Sequence, residues 1–302
     1  MLSYQHGYHA GNFADVHKHS LLSLVLQSLR QKDKPFIALD MYAGRGRYTL
    51  SGSQAQKTGE FEQGIARLWP DSRPIPAHAI PIDWPEQLSH YSRVLNELNP
   101  DHSLQFYPGS PSILHAALRE ADQLQLCELH PAELDALKIW QRHNSKAKIH
   151  ERDAHEALLA LIPPSIKRGV VLIDPSYDIK AEYQDVATSL IEATRKWPQG
   201  IFLLWYPILA AERHRDMLKR LQQRCKLPML QSELQIRTIE TDMDYQQTTN
   251  PGGGMHGSGM LMINPPWQLD NQIAAIAPWL EQLCEKDQSD TGHKLVWLRE
   301  AV

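Results

Sequence analysis

Residues 169–177 read GVVLIDPSY: an unbroken apolar run, 169–173, passes directly into Asp174, Pro175, Ser176 and Tyr177. An apolar run of this length that ends in turn residues predicts a strand covered on both faces. Its carboxylate then stands at the strand's carboxyl end, where open parallel sheets bind their ligands. The same alternation extends in both directions. LQLCELHP (124–131) reads as a short strand before the helix AELDALKIWQRH (132–143), and AKIHERD (147–153) as a strand before AHEALLALI (154–162). Downstream come a helix over 182–197, the strand GIFLLWYP (200–207), a helix over 210–225, and the strands LQIRTIE (234–240) and GMLMINPPW (259–267). Upstream, FIALDMYAGRGRYTL (36–50) reads as strand, glycine loop and helix, and LQFYPGSPSILHAALRE (104–120) as strand, turn and helix. A helix over 14–30 precedes them, with Leu21, Leu22, Val25, Leu26 and Leu29 on one apolar face. Strands alternating with helices predict an α/β fold with a parallel sheet wound on both faces.

The 302 residues suit two units, or one large domain carrying an insertion. Between 51 and 107 the texture changes to helical stretches around Pro70, Pro74, Pro76, Pro81 and Pro85, so 51–107 is expected to be a helical insertion into a main domain of 1–50 and 108–302. Hydrophobic residues at 42% and charged residues at 22% exclude a disordered chain or a coiled coil. Thirty-one Lys and Arg against 35 Asp and Glu exclude a general nucleic-acid coat. Any affinity for RNA must come from a local patch, for which Lys18, Arg30, Lys32, Lys34, Arg45 and Arg47 are the candidates. Cys127, Cys225 and Cys284 are too few and too scattered for a disulfide framework or a CxxC motif, which fits a reducing cytoplasm. No apolar run approaches bilayer length, so neither export nor membrane anchoring is expected.

Asp40, Met41, Tyr42, Ala43, Gly44, Arg45 and Gly46 form the glycine loop of a nucleotide-binding sheet, where Gly44 and Gly46 let backbone approach a ligand. Thr49 occupies the place of the third glycine of a dinucleotide fingerprint, which argues against NAD or FAD. Glu128 ends a strand, where a carboxylate holds both hydroxyls of a ribose; the competing reading is a solvated edge charge. It lies 84 residues beyond Gly44 rather than about 20, which requires the insertion. Asp153 is placed either to accept from an adenine amine or to cap the helix that follows.

Asp174, Pro175, Ser176 and Tyr177 carry the chemistry. An exocyclic adenine amine is a weak nucleophile because its lone pair is delocalised into the ring. A carboxylate and a Pro carbonyl that accept its two N–H groups draw the nitrogen towards the geometry of the transition state. Tyr177 is expected to stack on the base, worth roughly 1–3 kcal/mol. A rival reading is an ordinary Asp-Pro turn, since Ser176 stands where such tetrads carry a second proline. Asn264, Pro265, Pro266 and Trp267 match the tetrad better, yet too little chain follows them for the remaining strands, so NPPW is expected to be a structural turn after the last strand. At the N-terminus His6, His9, His17 and His19 lack the partners of a zinc set, and no metal is expected. His and Lys at a helix start instead suit a carboxylate or phosphate, or simply a solvated helix end.

Taken together, the chain resembles the RlmJ family of 23S ribosomal RNA adenine-N6 methyltransferases, which use S-adenosylmethionine. The resemblance rests on MLSYQHGYHAGNFADVHKH (1–19), LDMYAGRGRY (39–48), KTGEFEQGIARLW (57–69), FYPGSP (106–111), LQLCELHP, VLIDPSY, LWYPI (204–208) and SGMLMINPPW (258–267). It implies a Rossmann-like class I methyltransferase sheet with a small inserted helical subdomain. It also implies that His19, Tyr42, Ser110, Glu128, Asp153, Ala154 and Asp174 surround the methyl donor, that Asp174 is the proton acceptor, and that Tyr4 and Lys18 touch the RNA. Tyr42 departs from the family's His, Ala154 from its Gly and Ser176 from its Pro. The expected partner is 23S rRNA, naked or in an early assembly intermediate, bound by a monomer. The alternatives are a DNA adenine or protein glutamine methyltransferase, or a non-catalytic RNA-binding homologue.

Overall fold

Alternate residues of the apolar runs find separate helical layers to cover them, and that divides the chain into a sheet with two faces. The computed structural model describes residues 5–69, 84–101, 103–238, 254–285 and 290–300. In chain order the strands are β1 (Ile37–Asp40), β2 (Arg47–Thr49), β3 (Phe106–Pro108), β4 (Gln123–Cys127), β5 (Ala147–His150), β6 (Gly169–Ile173), β7 (Ile201–Ile208), β8 (Met229–Gln235), β9 (Gly257–Ile263) and β10 (Gly292–Arg299). The helices are α1 (Phe13–Arg30), α2 (Ser53–Thr58), α3 (Ile65–Leu68), α4 (Ser89–Leu98), α5 (Ser110–Ala116), α6 (Pro131–Gln141), α7 (Ala154–Leu161), α8 (Glu182–Lys196), α9 (Arg213–Arg224) and α10 (Leu269–Leu280).

The main sheet has the order β10-β8-β9-β7-β6-β1-β4-β5. Strands β5, β4, β1, β6 and β7 are parallel, β9 runs antiparallel between β7 and β8, and β10 is an antiparallel edge on β8. This is the Rossmann-like α/β sheet that the sequence leads one to expect. Chain order reverses between β1 and β6, so a crevice opens at their carboxyl ends. Ala38, Val170, Leu172 and Leu203 pack with α1, α4, α5 and α10, while Leu39, Val171, Ile173, Phe202 and Leu204 pack with α7, α8 and α9. Among the described residues no helix is long and apolar enough to cross a membrane.

Several expectations need correction. Helix α1 is not a surface helix with one apolar face: α10 and α4 cover its outer side, and even Ser20, Ser23, His17, Lys18 and His19 are buried. The glycine loop does not open into a helix. Gly44 and Gly46 take φ of 62° and 80° and turn the chain into β2, which pairs antiparallel with β3. This pair forms the stem of the chain between them, which holds α2, α3 and α4. Helix α5, after the stem, completes the crossover from β1 to β4. The strand expected over 234–240 is instead β8, centred five residues earlier and overlapping only Leu234 and Gln235, while 239–240 lie outside the described residues. NPPW follows β9, but β9 is not the last strand, because β10 comes after α10. Antiparallel β9 delivers Asn264 to the amino end of the parallel strands, where its side chain donates to Gly200 O at 3.2 Å, on the opposite edge from Asp174.

Gly169 starts β6 because a Cβ there would lie 2.1 Å from the Ile37 carbonyl oxygen of β1. Gly169→Ala is therefore expected to destabilise the protein by about 1–3 kcal/mol, read as a lower urea midpoint at unchanged slope. An unchanged midpoint would show that the β1–β6 contact is not as close as described.

Candidate active site

The parallel strands end at one edge of the sheet and set four carboxylates along it: Asp40 at the end of β1, Glu128 just after β4, Asp153 after β5 and Asp174 after β6. Between them lies a cleft of about 200 Å³ whose lining includes Lys18, His19, Tyr42, Gly44, Ser110, Glu128 and Asp174. Six of the residues singled out in the sequence for the methyl donor thus meet in one place. Gly46, Asp153, Ala154, Pro175 and Tyr177 do not line this cleft, and Tyr4 lies outside the described residues.

Each of these positions has a local cause. The Gly44 N–H donates to Glu128 Oε2 at 2.7 Å, and Glu128 Oε1 accepts from the N–H groups of Leu129 and His130 at 2.9 and 2.7 Å. Glu128 is therefore no solvated edge charge; it ties the glycine loop to β4. Burial raises its carboxyl above the ordinary value despite those donors. Gly46 faces away from the cleft. A Cβ there would lie 2.8 Å from the Trp140 ring, and its carbonyl accepts from Gly109 N at 2.8 Å and Ser112 Oγ at 2.7 Å. Asp153 caps α7, its Oδ1 accepting from His155 N and Glu156 N at 2.9 and 3.1 Å.

Three buried polar atoms on this side have no hydrogen-bond partner among the described residues, His19 Nε2, Asp40 Oδ2 and His130 Nδ1. Burial pushes His19 down to about 3, so its ring is neutral, with Nδ1 2.8 Å from the Tyr107 hydroxyl. Burial pushes Asp40 up to about 7, against the hydrogen bonds it receives from Ser110 and from the Tyr42 N–H, the latter at 3.3 Å. Neutral donors and a buried carboxyl with one oxygen unpartnered, beside a glycine loop, fit an amino-acid-bearing nucleoside, with a carboxylate and an ammonium to satisfy.

Asp174 is held from the other side. Lys18, 4% exposed on α1, donates to Asp174 Oδ2 in a very short bond and reaches Asp15 Oδ1 at 2.9 Å. Asp15 also receives Gly11 N at 2.9 Å and lies 2.8 Å from His6 Nε2. Burial works against the charge on Lys18, but the carboxylates of Asp15 and Asp174 outweigh it and hold the ammonium above its ordinary value. Burial likewise opposes ionisation of Asp15, and His6 and Lys18 overcome it, holding that carboxyl well below the usual range. Lys18, expected from the resemblance to touch the RNA, anchors Asp174 and lines both cavities. Sequence alone gave Asp15 no role, although its i,i+3 spacing to Lys18 was visible.

Beyond Asp174 a second, wider cavity of about 670 Å³ opens, walled by Trp205, Tyr177, Pro207 and Met255 among others. Asp174, Lys18, Ser176 and His6 line both spaces and form the partition between them. Tyr177 does not present an open stacking face. Its φ of 56° turns the ring inward onto Tyr183, with centroids 4.3 Å apart, and its hydroxyl donates to Trp205 O at 2.9 Å. The half-buried Trp205 ring lies 5.9 Å from Lys18 Nζ, its Nε1 donating to Ser258 Oγ at 3.0 Å. The expected single basic patch is not formed. Lys18 is buried, Arg45 is paired with Glu133, Arg47 is exposed on β2 over the Phe106 ring, and Arg30, Lys32 and Lys34 lie just before β1, at the edge opposite the site. Among the described residues no group of three or more His, Cys, Asp or Glu is placed to hold a metal ion.

Lys18→Met leaves Asp15 and Asp174 buried without their cation and is expected to cost about 3–5 kcal/mol at neutral pH. Without Lys18, Asp15 loses one of the two cations that hold its carboxyl low, so the loss is largest at neutral pH and shrinks in acid, where protonation of Asp15 relieves it. Urea unfolding of both proteins across that range reads this, and a pH-independent difference would contradict the ion triad.

The comparisons agree with this geometry. Residues 33–299 match the family model described as "Ribosomal RNA large subunit methyltransferase D, RlmJ". The chain is 40% identical over 299 residues to ribosomal RNA large subunit methyltransferase J of Escherichia coli K12, covering 99% of each, and 36% identical over 281 residues to the Haemophilus influenzae protein of the same name, covering 93% of each. The crystal structure of protein LPL1258 from Legionella pneumophila superposes with a TM-score of 0.82 at 30% identity, over 96% of this chain and 98% of that one. With the family's motifs gathered around one partitioned crevice, the chain belongs to the RlmJ family of ribosomal RNA large subunit methyltransferases.

Proposed function

We propose that this protein transfers a methyl group from S-adenosylmethionine to the N6 amine of an adenine in 23S ribosomal RNA. The observation that carries this reading is the placement of Asp174 in the partition between two cavities, one bounded by the glycine loop and one by an aromatic wall. A transfer between two bound molecules needs that arrangement, with the donor on one side, the acceptor on the other and the acceptor's hydrogen-bond partner at the junction.

On the donor side, the neutral ring of His19 and the Ser110 hydroxyl are suited to a carboxylate, Asp40 to an ammonium, and Glu128 to ribose hydroxyls through its remaining lone pairs. Tyr42 and the backbone at Gly44 wall the same cleft, and Gly46 supports that loop from behind. Asp153 and Ala154 are assigned to the adenine end, where the cap leaves Asp153 Oδ2 uncommitted. When bound, S-adenosylmethionine supplies an electrophilic methyl on a sulfonium. On the acceptor side, the Asp174 carboxylate and the Pro175 carbonyl accept the two N–H groups of the target amine, and Asp174 takes the proton released as the nitrogen is methylated. Lys18 fixes the direction of that carboxylate. Trp205 offers the face on which an extruded adenine stacks, while Tyr177 braces the loop from beneath.

The division into a main domain, 1–50 and 108–302, and an insertion, 51–107, is supported by the β2–β3 stem. It also has a functional reading, because Thr58, Glu60 and Gln63 of the insertion help wall the acceptor cavity. A cavity that admits one extruded base suits RNA not yet covered by ribosomal proteins, met by a monomer. Three buried cysteines, none in a disulfide, suit the reducing cytoplasm.

The test is transfer of a labelled methyl group to protein-free 23S RNA, with the product nucleoside identified by mass. N6-methyladenosine is expected, with Asp174→Asn losing about a hundredfold or more in kcat while still binding the donor. Product in DNA or in a glutamine side chain, or donor binding without any transfer, would overturn the proposal.

A further inference from the structure

The wide cavity carries two arginines to which the sequence reading gave no role, and both sit at the same part of its wall. Arg67, in α3 of the insertion, donates to Leu283 O at 3.0 Å. Arg237, two residues past β8, donates through Nη2 to Met255 O at 3.0 Å. The strip 283–285 joins them. Beside Leu283, the Cys284 thiol donates to Gln235 O at 3.3 Å, and Glu285 N donates to Ile236 O at 2.8 Å, next to Arg237.

The surroundings of Arg237 are shaped to its side chain. A Cβ on Gly254 would lie 2.4 Å from Nη2, so the glycine leaves the notch that the guanidinium occupies. Its Nε is buried and has no partner among the described residues. The bonds given for both arginines go to main-chain carbonyls, which satisfy N–H groups but do not neutralise charge. Neither forms an ion pair with a carboxylate among the described residues. Of the acids on this wall, Glu60 is taken by His9 and Asn12, and Asp15 and Asp174 share Lys18; Asp178 and Glu285 are exposed to solvent. A half-buried guanidinium whose charge is unmatched calls for an anion, and its planar fork matches a phosphate.

We propose that Arg67 and Arg237 form a two-pronged seat for phosphodiester groups of single-stranded RNA flanking the target nucleotide. The insertion and the segment after β8 then grip the backbone from two sides while the base enters towards Trp205 and Asp174. This rests on the reading of the wide cavity as the acceptor side. It also explains how a chain with a net charge of −4 holds RNA without an extended basic face.

The experiment measures binding of protein-free 23S RNA over a series of salt concentrations for the intact chain, Arg67→Gln, Arg237→Gln, the double variant, and Arg→Lys at both positions. The double Gln variant is expected to bind on the order of tenfold to a hundredfold more weakly, with the slope of log K against log salt falling by about 1.4, roughly 0.7 for each lost phosphate. The Lys pair should keep the slope, and the loss of methyl transfer in the Gln variants should fall in KM. Unchanged affinity and slope in the double Gln variant would overturn the seat, as would Lys and Gln variants that lose binding equally at unchanged slope, which marks a structural role. Methyl transfer by the intact chain to the same RNA reads the underlying function separately. Arginine-dependent binding without transfer would leave the phosphate seat standing and remove the assigned reaction.

Discussion

One buried ammonium organises the carboxyl edge of this sheet. Lys18 lies between Asp15 of its own helix and Asp174 at the end of β6, and taking it out of water is costly unless both carboxylates answer it. The pairing fixes the rotation of α1 against the sheet, and consecutive helical residues point about 100° apart. His17 therefore reaches Ser258 and Ser232 of β9 and β8, Lys18 reaches the end of β6, and His19 reaches Tyr107 of β3. Three adjacent side chains join the antiparallel half of the sheet, the partition of the site and the stem of the insertion. Loss of the Lys18 anchor thus disturbs the mutual placement of all three, besides freeing Asp174.

The partition gives the molecule its chemistry. On one side the glycine loop, bound to Glu128, presents backbone and neutral polar groups. On the other, Trp205 and the insertion enclose a larger space whose wall is apolar and carries both acids and the two arginines. Ser176 in place of a second proline does not unseat the loop, because Pro175 is buried and the inward-turned Tyr177 ring is clamped by Tyr183 and Trp205 O. What the proline ring would supply by fixed φ is supplied here by packing behind the loop.

The parallel core was legible because β1 and β6 are continuous apolar runs that lead into Asp40 and Asp174, and β4 alternates up to Glu128, so parallel strand order places these acids on one edge. Short or polar strands were not legible. Arg47–Tyr48–Thr49 carries no apolar run and becomes β2 only by pairing with residues almost 60 positions away, and β10 is a half-exposed edge of mixed polarity. The polar residues of α1 suggested a wet face, since their burial depends on cover from α10 and α4. The role of Lys18 was hidden for the same reason, its partner lying 156 residues on. Tyr177 misled because the residue type suits stacking, whereas the positive φ that turns it inward is set by the loop's tertiary packing.

The most direct measurement is a crystal structure with S-adenosylhomocysteine and adenosine monophosphate. The expected result places the adenine N6 within hydrogen-bond reach, about 3 Å, of both Asp174 and the Pro175 carbonyl, on the Trp205 side of the partition, with the homocysteine moiety beside His19 and Asp40. An adenine bound elsewhere, or both ligands on one side of Asp174, would contradict the two-sided site.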